Sequence, residues 1–230
     1  MNELLGDSMF FAVAVSLIGY EIGTLLKKKT KWAICNPLLI SILFVIVVLL
    51  LCKVDYSYYE GGSAVLSYLL TPATVALAVP LYRQLETLKK YGVAIGLGVL
   101  AGVLTSLAST LILAILFHLN YEEYVTFLPK SITTAIGMGV SEELGGMVTI
   151  TVAVIVVTGI IGNVIGESIC KLFKIKEKVA VGLALGTSAH AIGTAKALEM
   201  GEVEGAMSSL AIVMSGVITV AGANLFSLIW

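Results

Sequence analysis

Lysine, serine, threonine and glutamate side chains are concentrated in residues 128–146 of a chain that is otherwise rich in hydrocarbon. Within a bilayer an unsatisfied polar group costs several kcal/mol, so such a stretch is stable only when it is buried in protein or lines a watery cavity. Lys130 and the hydroxyl groups after it donate hydrogen bonds, and a broken helix adds free backbone N–H groups at its start. These groups favour an anion, and they suit a small carboxylate better than a cation.

A second stretch of the same character covers residues 182–202. On a continuous helix Thr187, Ala191 and Thr194 would share one face, with His190 beside it. By the same spacing, Ser131 and Thr134 would share a face in the first stretch. We therefore predict a substrate site with one half from each stretch: Lys130, Ser131, Thr133 and Thr134 from the first, and Thr187, Ser188, His190 and Thr194 from the second.

Three side chains are candidates for carrying a proton: Glu142, Glu143 and His190. A buried glutamate can relay protons, and histidine is the side chain whose charge changes most readily near neutral pH. Each candidate also has a structural interpretation, because the glutamates would face water at the end of a hairpin and His190 would make a buried hydrogen bond. Lys130 could likewise extend to the lipid headgroups. The sequence leaves both interpretations open.

The composition is that of an integral membrane protein. Of the 230 residues, 58% are hydrophobic and 13% are charged, whereas soluble domains have roughly 45 to 50% and about 25%. None of the long apolar runs alternates with polar residues, so helices and not a barrel are expected. We predict an all-α polytopic membrane protein in a single domain over residues 1–230, with about five to seven transmembrane helices plus broken or re-entrant polar segments. The clear spans are residues 9–26, 37–52, 92–119, 148–170 and 206–229.

Lysine and arginine clusters at residues 27–31, 83–90 and 171–178 mark cytoplasmic loops, which places the N-terminus outside. Residues 60–83 must then cross as a broken helix, because glycines and prolines interrupt them. Residues 128–146 must enter and leave by the outer face as a re-entrant hairpin. Residues 182–199 fit either a hairpin from the cytoplasm or a full crossing, which leaves the side of the C-terminus open.

Three short segments resemble one another: TVALAVP from Thr74, TTAIGMG from Thr133 and SAHAIGTA from Ser188. A true duplication would give the repeat-based bundle found in many secondary transporters. Chance similarity in a chain rich in alanine, isoleucine and glycine is an equal alternative. The glycine pairs Gly98 with Gly102 and Gly162 with Gly166 would let helices pack closely.

Several classes of function find no support in the sequence. The formal net charge is −1, and there is no basic block suited to nucleic acid. Cys35, Cys52 and Cys170 are far apart, which argues against both a disulfide framework and a metal site. There is no HExxH, GxSxG or P-loop motif. We therefore predict no enzyme, no catalytic residue, no cofactor and no metal.

Three motifs resemble those of the LrgB/CidB family of bacterial membrane proteins, and the likeness covers nearly the whole chain. They are LPKSITTAIGMGVSEELGG at 128–146, LALGTSAHAIGTAKALEMGEVEGAMSSLAIVMSG at 183–216 and LTPATVALAVPLYRQ at 70–84. The family usually has a proline after the paired threonines, where this chain has Ala135. This departure bears on the local kink and not on the family.

The resemblance implies two different functions. Family members are described as antiholin-like or holin-like proteins that act with a small partner of the LrgA/CidA type in controlling murein hydrolase activity and cell lysis. A homologous plastid protein is similar to a glycolate/glycerate translocator, and bacterial pairs are associated with pyruvate uptake. The polar segments favour transport of 2-oxo or 2-hydroxy monocarboxylates across the bacterial inner membrane. The alternative is control of lysis, and a homo-oligomer is compatible with either.

Overall fold

Helices form the secondary structure of the described residues. The structure is a computed structural model, and it describes residues 9–30, 35–69, 72, 75, 76 and 78–230. No strand occurs in those ranges, which confirms the predicted all-α class. The helices are α1 (Met9–Thr30), α2 (Pro37–Cys52), α3 (Tyr56–Gly62), α4 (Ala64–Tyr68), α5 (Ala78–Arg83), α6 (Leu85–Leu116), α7 (Tyr121–Phe127), α8 (Thr134–Glu143), α9 (Val148–Leu172), α10 (Lys178–Met200) and α11 (Glu202–Ser227).

Four of these helices, α1, α6, α9 and α11, are long and apolar enough to cross a membrane. The apolar helix α2 is shorter, at 16 residues. These five helices correspond to the five predicted spans. Helix α2 has the predicted bounds, whereas α6 begins already at Leu85 and α11 at Glu202. Both of these helices therefore continue beyond the apolar run into charged sequence.

The chain divides into two compact units, Met1–Ala76 and Leu77–Trp230, and each is described by itself. In the first unit α1 and α2 approach closely, since a Cβ atom on Gly23 would lie 2.7 Å from the Cα atom of Pro37. The hydroxyls of Ser16 and Tyr59 share a hydrogen bond of 2.8 Å, which joins α1 to α3. That all 230 residues form a single domain stays a prediction.

The segment predicted to be a broken crossing, residues 60–83, is divided among short helices. Helix α3 ends at Gly62, and a turn at Ser63 separates it from α4, which ends at Tyr68. Helix α5 covers Ala78–Arg83. The predicted interruption is therefore confirmed, while its direction through a membrane stays a prediction. Thr74, where the first of the three similar segments begins, lies outside the described residues.

Residues 127–146, which we call hairpin 1, form a hairpin whose two ends lie next to each other. The backbone N–H of Met147 donates to the Oγ1 atom of Thr126 at 2.8 Å. The Thr151 hydroxyl lies 3.0 Å from the carbonyl oxygen of Thr126 and 2.7 Å from the Oγ atom of Ser141. Thr126, Ser141 and Thr151 are all buried. The hydrogen bonds join the two ends of the segment, which confirms the hairpin geometry.

Helix α10 is a second hairpin, which we call hairpin 2. Its backbone breaks at Ala189 (φ −130°, ψ 15°) and His190 (φ 42°, ψ −135°). A Cβ atom on Gly193 would lie 2.5 Å from the carbonyl oxygen of Leu185, although residues eight apart on a straight helix are separated by roughly 12 Å. The chain therefore folds back on itself. Of the two arrangements that the sequence left open, the structure has the hairpin.

Both predicted glycine pairs lie against hairpin 2, and their close packing is confirmed. The absence of side chains at these positions lets α6 and α9 approach the first half-helix of hairpin 2. On α6, Gly98 faces Leu183 and Gly102 faces Thr187, and on α9, Gly162 faces Ala189 and Gly166 faces Leu185.

Replacement of Gly162 by alanine is expected to destabilise the protein. The new methyl group would overlap the Cβ atom of Ala189, and overpacking of this kind costs about 1 to 3 kcal/mol. Gly96→Ala on α6 is the matched control, because no atom lies within 4 Å of a Cβ there and helix propensity favours alanine by about 1 kcal/mol. Thermal unfolding in detergent should show a lower midpoint for Gly162→Ala alone. Equal midpoints for the two variants would contradict the close packing.

Candidate functional site

Lys130 lies at the tip of hairpin 1 and contacts the middle of α6. Its Nζ atom donates to the Oγ atom of Ser106 at 2.9 Å, and Ser106 donates in turn to the Oγ atom of Ser131 at 3.0 Å. Ser106 is ten residues before the end of α6, a depth of roughly 15 Å along the helix. No ion pair to Lys130 is found among the described residues. An unpaired cation at this depth is costly unless an anion accompanies it.

Helix α8 begins beside this lysine. Thr133 is its N-cap residue, with extended backbone angles and no side-chain capping bond. The first backbone N–H groups of a helix have no partner within the helix, and the helix dipole makes this end positive. The start of α8 therefore adds hydrogen-bond donors and positive potential to the tip of hairpin 1.

The tip of hairpin 2 carries His190. Its Nε2 atom donates to the carbonyl oxygen of Ile155 on α9 at 3.0 Å, and the side chain is buried. The Thr194 hydroxyl donates to the carbonyl oxygen of His190 at 3.0 Å and shares a bond of 2.7 Å with the hydroxyl of Ser208 on α11. The second half-helix starts at this tip, so a second set of free N–H groups points toward the same region.

The two tips approach each other along the surrounding helices. On α6, hairpin 1 contacts Ser106 and hairpin 2 contacts Gly102, which is one helical turn away. On α9, Ile155 contacts Gly137 of hairpin 1 through its Cδ1 atom and His190 of hairpin 2 through its carbonyl oxygen. The hydroxyls, the lysine and the two helix starts therefore surround one region.

Cavities extend toward this region from both ends of α6. A groove of about 990 Å³ runs between α6 and the first half-helix of hairpin 2, from Lys176 and Lys178 to Thr187. A second cavity, of about 270 Å³, lies beside Lys130. Its other lining residues are Thr110, Leu113, Ala114, Phe117, Leu119 and Phe127. Each hairpin tip therefore borders a cavity of its own.

Comparison with known proteins agrees with the motifs. The model of the LrgB-like family matches residues 16–229. The chain belongs to the LrgB-like family. The proteins named antiholin-like protein LrgB are similar over nearly their whole length. The one from Bacillus subtilis (strain 168) is 40% identical over 93% of both chains. Those from Bacillus mycoides (strain KBAB4) and Bacillus cereus (strain B4264) are 38% identical over 94% of this chain and 95% of theirs. No solved structure matches the chain.

Most of the residues predicted for the site of this LrgB-family protein lie at the two tips. Ser188 points differently, because it is exposed and its hydroxyl donates to the carbonyl oxygen of Ala184 at 2.6 Å. The remaining seven are Lys130, Ser131, Thr133 and Thr134 in hairpin 1 and Thr187, His190 and Thr194 in hairpin 2. That these residues bind substrate stays a prediction.

The geometry by which the sequence grouped them was wrong. Ser131 lies in the turn before α8 and shares no helical face with Thr134. Thr187 and Thr194 lie on different half-helices, because the positive φ of His190 reverses the chain between them. A periodic face requires an unbroken helix, and both stretches are broken where the polar residues occur. The break before α8 is present even though Ala135 replaces the usual proline.

The proton-carrying candidates lie in different environments. Glu142 and Glu143 are exposed at the end of α8, away from the tip of hairpin 1. Lys196 of hairpin 2 forms ion pairs with Glu167 on α9 at 2.7 Å and with Glu199 at 3.7 Å. Among the three candidates only His190 is both buried and at a tip. A role in proton coupling stays a prediction for all three.

Two residues of this region were missed by the sequence reasoning. Ser106 lies inside a predicted span, and Ser208 near the start of another. The feature of the sequence that could have indicated them is the presence of hydroxyl residues in apolar helices, such as Thr105, Ser106, Ser109 and Thr110 in α6.

Among the described residues, no group of three or more histidine, cysteine, aspartate or glutamate side chains is placed to hold a metal ion.

Proposed function

We propose that this LrgB-family protein is a carrier of small 2-oxo or 2-hydroxy monocarboxylates, and not an enzyme. The observation that supports the proposal most directly is the meeting of two hairpin tips at a lysine for which no ion pair is found among the described residues. Polar tips that meet between hydrophobic helices are the arrangement in which transporters bind substrate.

The chemistry of the tips supports this class of substrate. One lysine and two helix starts provide positive potential for one carboxylate. The Ser131 hydroxyl, which accepts from Ser106, can donate its own proton to a second oxygen on the neighbouring carbon of a 2-oxo or 2-hydroxy acid. The Thr187 hydroxyl donates to the carbonyl oxygen of Leu183, so its oxygen can accept from the hydroxyl of a 2-hydroxy acid. The small residues Gly98, Gly102 and Ala184 line the groove that leads to Thr187, and a groove of this kind admits a compact anion.

The remaining features of the proposal concern the membrane and a partner. We place the protein in the bacterial inner membrane with its N-terminus outside, since its lysine-rich segments follow the positive-inside rule. His190 is our first candidate for proton coupling, ahead of Glu142 and Glu143, because it is buried at a tip. A small LrgA/CidA-type membrane protein is the proposed partner, and the carrier can act as a homo-oligomer.

Uptake of labelled pyruvate and glycolate into proteoliposomes tests the proposal. The protein is reconstituted with and without its small partner, and uptake is followed with and without an imposed proton gradient. We expect saturable uptake that unlabelled substrate competes away and that the gradient increases. Liposomes that contain the partner alone are the control. Absence of uptake in every combination, from protein shown to be folded and inserted, would contradict the carrier.

The names of the relatives favour a second function more directly than they favour transport. Each is called antiholin-like protein LrgB, which supports a role in restraining a holin-like partner and thereby cell lysis. Under this proposal, changes at the hairpin tips leave lysis control intact, whereas changes on the outer faces of the helices abolish partner binding. Cells that express a tip variant separate the two functions, because a carrier loses uptake and an antiholin does not lose its restraint of lysis.

A further inference from the structure

We infer that residues 126–172 and 182–228 are two inverted copies of one unit, so that this single chain provides both gates of the proposed transport path. The assignment of two gates rests on the proposed carrier function. The duplication rests only on the sequence and on the contacts between residues. Each copy consists of a hairpin followed by a membrane-length helix.

The two copies align without a gap at a separation of 56 residues. The tripeptide Ala135–Ile136–Gly137 recurs as Ala191–Ile192–Gly193, at the start of the second half-helix of each hairpin. Gly145 and Gly201, which join each hairpin to the helix after it, have the same separation. The alignment thus matches these four residues in type and in their place along the hairpin.

Contacts within the hairpins repeat in the same register. A Cβ atom on Gly137 would lie 3.6 Å from the carbonyl oxygen of Pro129, and one on Gly193 would lie 2.5 Å from that of Leu185. Both pairs close a hairpin across eight residues, and both members shift by the same 56 positions.

The bases of the hairpins also correspond. Thr126 contacts Thr151 on the helix that follows hairpin 1. At the equivalent positions, a Cβ atom on Gly182 would lie 2.9 Å from the Cβ atom of Met207 on the helix that follows hairpin 2. Two separate contacts, which involve four positions in each copy, therefore agree with one alignment, and chance similarity of composition does not explain them.

The copies run in opposite directions. Along α11, Gly182 and Gly186 of hairpin 2 contact Glu204 and Ser208, so the first half-helix and α11 are parallel. Along α9, Leu185 and Ala189 contact Gly166 and Gly162, so the same half-helix and α9 are antiparallel. Helices α9 and α11 are therefore antiparallel to each other, and hairpin 1 and hairpin 2 enter from opposite ends of the bundle.

Equivalent residues at the two tips contact adjacent turns of α6. Ser131 contacts Ser106, and its counterpart Thr187 contacts Gly102. Lys130 has Gly186 as its counterpart, so the cation is present once and the pair of gates encloses one anion.

Hairpin 1 is held at its base by the hydroxyls of Thr126, Ser141 and Thr151. Their counterparts, Gly182, Ala197 and Met207, carry no hydroxyl. The base of hairpin 2, which borders the larger groove, therefore lacks the hydroxyl bonds that close the base of hairpin 1.

Two matched disulfides test this inference. In a background without the three native cysteines, Gly102→Cys with Thr187→Cys pins the tip of hairpin 2 to α6, and Ser106→Cys with Ser131→Cys pins the tip of hairpin 1. A Cβ atom on Gly102 would lie 3.2 Å from that of Thr187, near the roughly 3.5 to 4.5 Å that a disulfide needs. Ala135→Cys, exposed in the first turn of α8, reports access to a charged, impermeant thiol reagent added to either side of oriented vesicles.

We expect mirror-image results. Pinning hairpin 2 should slow labelling from its own side at least about tenfold and leave labelling from the side of hairpin 1, whereas pinning hairpin 1 should do the reverse. Reductant should restore access from both sides in the same sample, which controls for misfolding. Two pinned proteins that lose access from the same side, or labelling that neither disulfide changes, would overturn the inference.

Single-cysteine proteins keep the inference testable if a disulfide does not form. Ala135→Cys and Ala191→Cys occupy equivalent positions, so each should be labelled from both sides; labelling of each from one side only would overturn two alternating gates. Because labelling requires no substrate, its outcome is separate from the uptake assay. If labelling shows access from both sides but the uptake assay shows no transport, the two gates are supported and the proposed substrates are rejected.

Discussion

Replacing Lys130 with methionine is expected to raise the substrate concentration for half-maximal uptake by about 10- to 150-fold, because a hydrogen bond to a charged group contributes roughly 1.5 to 3 kcal/mol. Methionine retains most of the length of the side chain but removes the charge and the contact between Nζ and the Ser106 hydroxyl. Radiolabelled uptake over a range of pyruvate concentrations in proteoliposomes measures the effect.

Two variants control for indirect effects of that change. Lys130→Arg keeps the charge and should retain more uptake than Lys130→Met. Lys89→Met removes a lysine that is exposed near the start of α6, so its uptake should equal that of the unmodified protein. If Lys130→Met is inserted at the normal level and transports normally, Lys130 does not bind the substrate.

Substitution of His190 is expected to have the largest effect on the free energy of unfolding. Its φ of 42° is favourable for glycine and unfavourable for a β-branched residue. His190→Val should therefore lower the free energy of unfolding through about 1 to 3 kcal/mol of backbone strain and the loss of the hydrogen bond to Ile155, worth about 1 kcal/mol. Thermal unfolding in detergent, followed by size-exclusion chromatography, measures the difference.

His190→Gly separates the structural role of this residue from a functional one. Glycine adopts the same backbone angles without strain and lacks the imidazole, so the hairpin should form while proton-driven uptake falls. Thr134→Gly, at the equivalent position of hairpin 1, is the control. Thr134 lies in regular helix, so the conformational freedom of glycine should not stabilise the protein there. Equal unfolding midpoints for His190→Val and His190→Gly would show that the reversal does not depend on this conformation.

The sequence predicted the elements whose signal is a uniform hydrophobic run. The five spans and the class were predicted, because a run of about 20 apolar residues in a chain of this composition is rarely anything but a membrane-spanning helix. Hairpin 1 was predicted by a different argument, since the charged loops on either side left no room for another crossing. No comparable constraint follows residues 182–199, and the sequence therefore left two arrangements open.

The site was predicted in its residue types but not in its geometry. The hydroxyls and Lys130 were found because polar groups are rare in this chain. Their arrangement could not be found, because it depends on the positive φ of His190 and on contacts with Gly193 that only the folded chain brings about. Ser106 was missed for a related reason: a serine in a span is usually bonded to its own helix, and nothing in the sequence indicates that Lys130 contacts it.

The hydrogen bonds that join the base of hairpin 1 imply an order of events during synthesis. Thr126 accepts hydrogen bonds from Met147 and Thr151, which emerge from the ribosome only after the polar tip. Until α9 has been made, residues 127–146 lack those partners and are too polar to partition into lipid on their own. Membrane insertion should therefore place α6 and α9 first and draw the hairpin in afterwards. A nascent chain arrested before Thr151 should leave Lys130 exposed to water.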